Sequence, residues 1–308
     1  MTHQATINSA SSKKQNTQAQ PAAWRWLVRL CQSPAGLIGL LIIGTYVIFA
    51  IFGESIAPYS YTEQNYSHTL QAPSAEYWFG TDQFGRDIFS RVLVGSRNIL
   101  LLAIFATGLG LILGISVGLS AGYYGGMIDE VLMRLMDIML SFPSLLLALL
   151  ILSTLGSNLM NVIIGIGIVF MPRVARVVRS VVLSIKSKEF VDAAKVRGES
   201  AFYIMTQEIL PNATAPIIVE SSIRVSYAIL LGASLGFLGL GVQPPAPDWG
   251  LQVSEGRQFI LTAPWVVLFP SLAIASLVVG VNLLGDGIRQ VIETADLKMP
   301  VVNASQDK

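Results

Sequence analysis

Residues 186–211 read KSKEFVDAAKVRGESAFYIMTQEILP, the longest polar stretch between strongly apolar segments in the second half of the chain. It has room for two short helices broken at Gly198. The first carries Phe190, Val191, Ala194 and Val196, and the second carries Phe202, Met205 and Ile209. Glycine is a weak helix former and a good helix stop. Pro211 is placed to open a new element. On pattern alone the stretch is either a solvated connector or a surface built for a partner.

Outward from it the chain is apolar. Of 308 residues, 53% are hydrophobic and 13% charged, against roughly 25% charged in soluble domains. Mean hydropathy is +0.61. The composition is that of an all-α, polytopic membrane protein that needs a lipid bilayer as partner. The net charge of +1 provides no field to recruit nucleic acid. A single cysteine, Cys31, excludes an internal disulfide framework and a cysteine-rich metal site. His3 and His68 stand far apart, so no metal site is expected.

Upstream, residues 1–23 are rich in Gln, Ser, Ala and Thr without apolar periodicity and read as a disordered cytosolic tail. Residues 24–33 form an interfacial basic flank, in which Trp24, Arg25, Trp26 and Arg29 suit the headgroup layer. The uncharged run 34–52 is long for a signal-peptide core and lacks a small-residue cleavage site, so it is a retained first span. A polar segment, 54–95, precedes span two within 98–128. There Gly110, Gly114, Gly118 and Gly122 fall four apart on one helix face, a ladder that admits a close helix neighbour. The uncharged stretch 138–172 is too long for one crossing. A break at Gly156-Ser157-Asn158 divides span three (131–155) from span four (159–178). Arg134 and Asp137 share a face at the start of span three. Arg173, Arg176 and Arg179 at the exit of span four can snorkel to headgroups.

Downstream, span five lies within 225–247 and stops at Pro244, Pro245 and Pro247, which cannot continue a hydrogen-bonded helix. Span six lies within 258–285. The six-helix transmembrane domain thus covers 34–290, and 291–308 is a cytosolic tail. With the N-terminus inside, fifteen Lys and Arg fall on inside regions. Four fall outside: Arg86, Arg91, Arg97 and Arg257. That bias places both termini and the loop 186–211 in the cytosol and the segment 54–95 outside.

The order Asp192-Ala193-Ala194, then Gly198, then Leu210-Pro211, resembles the EAA loop of ABC importer permeases. Asp192 stands where Glu is typical, and Glu208 where an apolar residue is usual. Phe79-Gly80-Thr81-Asp82-Gln83-Phe84-Gly85-Arg86-Asp87, with Ser90-Arg91, is similar to the external segment of dipeptide and oligopeptide permeases of the C type. So are Leu235 to Pro245 with Asp248-Trp249-Gly250, and Asn282 to Arg289. The tail departs, with Glu293-Thr294-Ala295-Asp296 in place of the common Asp-Pro ending. The resemblance implies a multi-pass subunit of a bacterial plasma (inner) membrane, working by alternating access. It implies a second homologous permease, two cytosolic ATPases that dock on 186–211, and an external substrate-binding protein. Its substrate would be a dipeptide or oligopeptide. Permeases for nickel, metal chelates, glutathione and opines share these motifs.

The remaining signals are open or negative. Asp82, Arg86, Asp87 and Arg91 form either an ion-paired turn or a substrate contact. Glu220 and Arg224, four apart with Glu first, are either a mutual pair at a membrane border or part of the translocation pathway. Gly232-Ala233-Ser234-Leu235-Gly236 fits a nucleophile pattern but lies in an uncharged span without a histidine nearby, so no catalytic residue is expected. There is no G-x-x-x-x-G-K-[ST]. The chain is therefore no ATPase and carries no cofactor, and any ATP is used by partner subunits. A stand-alone ion-coupled carrier is disfavoured because the spans are nearly free of the carboxylates and histidines that proton relays use.

Overall fold

The computed structural model describes residues 30–31 and 33–296. The two terminal tails and most of the basic flank lie outside the described residues. Nine helices carry the argument: α1 Pro34–Ile56, α2 Ile88–Tyr124, α3 Gly126–Leu140, α4 Ser144–Leu155, α5 Leu159–Lys186, α6 Glu189–Val196, α7 Thr214–Phe237, α8 Trp249–Gly256 and α9 Trp265–Asp296. Several starts are capped by side chains. The Asp87 carboxylate accepts from Ser90 N (2.9 Å), Asn158 from Asn161 N (2.8 Å), and Asp248 from Leu251 N (2.8 Å). Each satisfies an amide left open by the first turn.

α1, α2, α5, α7 and α9 are each long and apolar enough to cross a membrane, and the pair α3–α4 counts as a sixth span only if taken together. The two members of that pair meet at 93°. Span three is therefore not the continuous helix expected for 131–155. Pro143 has no N–H to donate and disfavours helical geometry at Phe142. At ~1.5 Å per residue α4 is only about 18 Å long, short of a hydrocarbon core of about 30 Å. Span two also starts earlier than expected, at Ile88. Its 37 residues exceed what the bilayer needs, so α2 projects beyond it.

α2 and α5 form the central pair. The glycine ladder makes their approach possible. A Cβ placed on Gly110, Gly114, Gly118 or Gly122 would lie 2.5–2.8 Å from Phe170, Val174, Ala175 or Val182 of α5. No side chain fits there, and the backbones meet directly. Two buried apolar clusters follow from this packing. One joins Ile88, Leu102, Ala106, Ile166, Phe170, Ile229, Trp249 and Leu277. The other runs from Leu119, Val174, Val178 and Val182 through Ile185 into the loop, taking in Val191, Ala194, Ile204, Met205 and Ile209.

α7 runs from Thr214 to Phe237 and stops before the prolines of 244–247. Its end is set by Gly239 at φ +78°, with Leu240 N bonded to Leu235 O (2.9 Å). A left-handed residue there turns the chain away and satisfies the last carbonyls. Glu220 and Arg224 lie within this helix, six and ten residues from its start.

Candidate functional site

The loop 186–211 is a compact unit, and Gly198 closes its first helix. Gly198 adopts φ +77°, with its N–H on Lys195 O (3.0 Å) and Glu199 N–H on Ala194 O (3.2 Å). This is a Schellman arrangement. The second half comprises Ala201–Tyr203, a wider π-turn over Ile204–Ile209, and Leu210–Asn212. Pro211 lacks the N–H that an α-helical ladder would need, and its ring crowds the carbonyl of Gln207, which accounts for the wide turn just before it. Glu208, unusual at its position, is used: its Oε1 accepts from Arg197 Nη2 (3.0 Å), joining the two halves.

The loop's residues divide sharply by face. Val191 and Ala194 are fully buried, and Ile204, Met205 and Ile209 join them. Ala194 is turned inward, while its neighbour Ala193 is exposed. An eight-residue helix carrying Val191 must cover its own core first, and Ala194, three residues on, shares that stripe. Ala193 and Asp192 face out, and Asp192 pairs with Lys195 at 2.8 Å. The surface is completed by large apolar side chains. Val196 is 89% exposed and Phe202 73%, and Phe190 and Tyr203 are exposed as well. Leu210 is half-buried against the same cluster, and Pro211 is exposed. Lys186 donates to Tyr123 O, clamping the start of the loop to the end of α2.

Segment 54–95 has the opposite design. Gly85 takes φ +68°, and a Cβ there would lie 1.8 Å from Asn65 O, so only glycine fits this turn. Asp82, Arg86, Asp87 and Arg91 are all buried. Asp82 binds Arg86 Nε (2.6 Å) and lies 3.9 Å from Arg91 Nε, and Arg91 Nη1 donates to Tyr61 O (3.0 Å). Arg86 also reaches Glu255 at 3.1 Å. Asp87 is spent on capping α2, and burial pushes its carboxyl above the usual carboxylate range. All four groups are held inside a frame. Glu255 of α8 completes it although sequence gave no sign of it, since a partner 169 residues from Arg86 leaves no spacing signature.

On α5, Arg179 binds Asp129 (2.5 Å) and Arg176 binds Asp137. These two guanidiniums are paired with α3 rather than extended to headgroups, and Asp137 pairs across helices rather than with Arg134. Within α7, Glu220 and Arg224 are both buried, with Oε1 and Nε 2.8 Å apart. The Arg224 guanidinium lies over the rings of Phe170 (5.6 Å) and Tyr227 (5.0 Å). Ser234 donates to Leu230 O within its own helix (2.8 Å), and the ring of His68 is engaged far away with Tyr77 (3.1 Å).

The described residues hold at least five helices long and apolar enough to cross a membrane, with a compact loop between two of them. Residues 110–295 match the family described as binding-protein-dependent transport system inner membrane component, and residues 22–73 match the N-terminal transmembrane domain of oligopeptide transport permease C. The chain belongs to this family of ABC importer permeases. It is 47% identical to the dipeptide transport system permease protein DppC of Alkalihalophilus pseudofirmus, over 93% of this chain and 94% of that one. It is 38% identical to the glutathione transport system permease protein GsiD of Pectobacterium atrosepticum, over 88% and 90%. Its fold is similar to the inward-facing MetNI methionine ABC transporter, with TM-score 0.53 at 19% identity, covering 65% of this chain and 96% of that one.

Proposed function

We propose that this chain is one of two homologous permeases in a bacterial inner-membrane importer of dipeptides or oligopeptides. Two cytosolic ATPases drive it, and an external binding protein delivers substrate. Both termini and the loop 186–211 face the cytosol, in keeping with the bias of Lys and Arg. The chain contributes no ATPase site and no cofactor; ATP is used by its partners. The observation that carries this reading is the loop itself. It exposes Phe190, Val196, Phe202 and Tyr203 within fourteen residues, and such a set, gathered on one surface, would suit a partner. The same loop shares one buried cluster with α2 and α5. A push on its outer face therefore moves α2 and α5 as a body rather than bending a tether.

Peptide uptake is favoured by the dipeptide permease relatives at 47% and 40% identity. Glutathione, itself a peptide, is the second reading, supported by relatives at 38–39%. The test is uptake into vesicles holding the complete complex. Dipeptide accumulation should require internal ATP, the ATPases and a loaded binding protein. Accumulation by the purified chain alone, driven by an ion gradient, would overturn the proposal.

A further inference from the structure

Segment 54–95 and α8 meet across a small cavity. It offers about 10 Å³ to the centre of a water-sized sphere, and is lined by Asp82, Gln83 and Ile88 on one side and by Gln252, Glu255 and Val266 on the other. That is room for one water and for no larger ligand. Ile88 and Val266 are apolar and buried. The other four lining residues are polar.

Two of those four carry a buried polar atom with no partner. Gln252 is 6% exposed, and its Nε2 donates to nothing among the described residues. Gln83 donates through Nε2 to Glu255 Oε2 (3.2 Å), which fixes how its amide is turned, and its buried Oε1 accepts nothing. A donor and an acceptor buried without partners each carry the full cost of lost hydration.

Charge decides what kind of molecule relieves that cost. Asp82 and Glu255 are matched by Arg86 and Arg91, through Arg86 with Asp82 (2.6 Å), Arg86 with Glu255 (3.1 Å) and Arg91 with Asp82 (3.9 Å). Two carboxylates against two guanidiniums leave no excess of either sign to hold an ion. An unpaired amide N–H also disfavours a cation. The open donor and the open acceptor together suit a neutral molecule that both accepts and donates.

We propose that this cavity holds one structural water. It accepts from Gln252 Nε2, donates to Gln83 Oε1, and gives its second hydrogen to the Asp82 or Glu255 carboxylate. Gln252 and Glu255 stand three apart on α8 and so share a face. The water is thus a second tie between α8 and the turn that precedes α2, beside the ion pair of Arg86 with Glu255.

The test is a density map of the assembled importer, fine enough to show ordered waters, for the parent and for Gln252→Met, which keeps the volume and removes the donor. The parent should show one peak about 2.7–3.2 Å from Gln83 Oε1 and from Gln252 Nε2, and the variant none. Apparent unfolding temperatures give a second reading. Gln252→Met should lower the parent's by roughly 2–4 °C. In a Gln83→Met background, where the bridge has already lost its acceptor, it should lower it much less. The parent's map decides even where a variant does not assemble. No peak at the site in a map that shows other buried waters would overturn the proposal. So would a peak at the shorter spacing of a metal ion, about 2.0–2.6 Å, or an equal shift in both backgrounds.

Discussion

The loop 186–211 and the segment 54–95 each bring charged residues together in a short space, and they spend them in opposite ways. In segment 54–95 the ions are inside: Asp82, Arg86, Asp87 and Arg91 are each at most 7% exposed. In the loop the ions are outside, and large apolar groups stand beside them, with Val196 89% exposed. Buried ions in a closed hydrogen-bonded set specify a shape. Exposed apolar side chains on a rigid base leave a contact still to be made. The first region is therefore a frame, and the second has the exposed apolar side chains that the proposed docking surface requires.

The largest expected effect comes from removing one ion from each region. Asp82→Ala leaves Arg86 and Arg91 buried without their shared carboxylate. Breaking a buried pair costs on the order of 3–5 kcal/mol. The variant should show a strongly lowered unfolding temperature and little protein in the membrane. Asp192→Ala removes one partner of an exposed pair, whose worth is at most about 1 kcal/mol. Its unfolding temperature should stay near that of the parent. If both variants lost stability alike, the contrast between frame and surface would fail.

Much of this division was legible in the residues, and the failures have definite physical causes. Uncharged runs located the long apolar helices, because a bilayer core demands about 20 apolar residues per helix. The ladder of Gly110 to Gly122 pointed to the close helix pair that α2 and α5 make. Pro143 was equally visible but lay within a long apolar run, and the 93° break it makes was missed. The links of Arg176 to Asp137, Arg179 to Asp129 and Arg86 to Glu255 join distant positions, and short-range spacing carries no sign of them. The face of Ala194 was not legible, because small residues suit either a tight core or a tight interface. Its neighbour Val191 decides between them only once the helix is seen to cover its own core.

A smaller effect sharpens the comparison through pH. Burial raises the Asp87 carboxyl above its ordinary value, against its hydrogen bonds from Ser90 and the backbone. The folded chain therefore holds this proton more tightly than the unfolded one. The group's contribution is most favourable below the unfolded value of about 4 and is lost as pH rises through the raised folded value. Asp87→Asn, which keeps the cap, removes this term. Melting curves of parent and variant should diverge as pH falls from neutral toward about 4, with only the parent gaining from this group. Parallel curves would show that Asp87 is solvated.

The most direct test of the docking surface is Val196→Glu, read by co-purification of the ATPase subunits and by substrate-stimulated ATP hydrolysis in the reconstituted complex. Val196 touches little of its own chain, so folding should be unchanged within about 0.5 kcal/mol and the permease should reach the membrane at the parent's level. The account predicts that the ATPases no longer co-purify and that stimulated hydrolysis is lost. A Val196→Glu complex that assembles and hydrolyses ATP like the parent would contradict it, and the loop would then be a solvated connector.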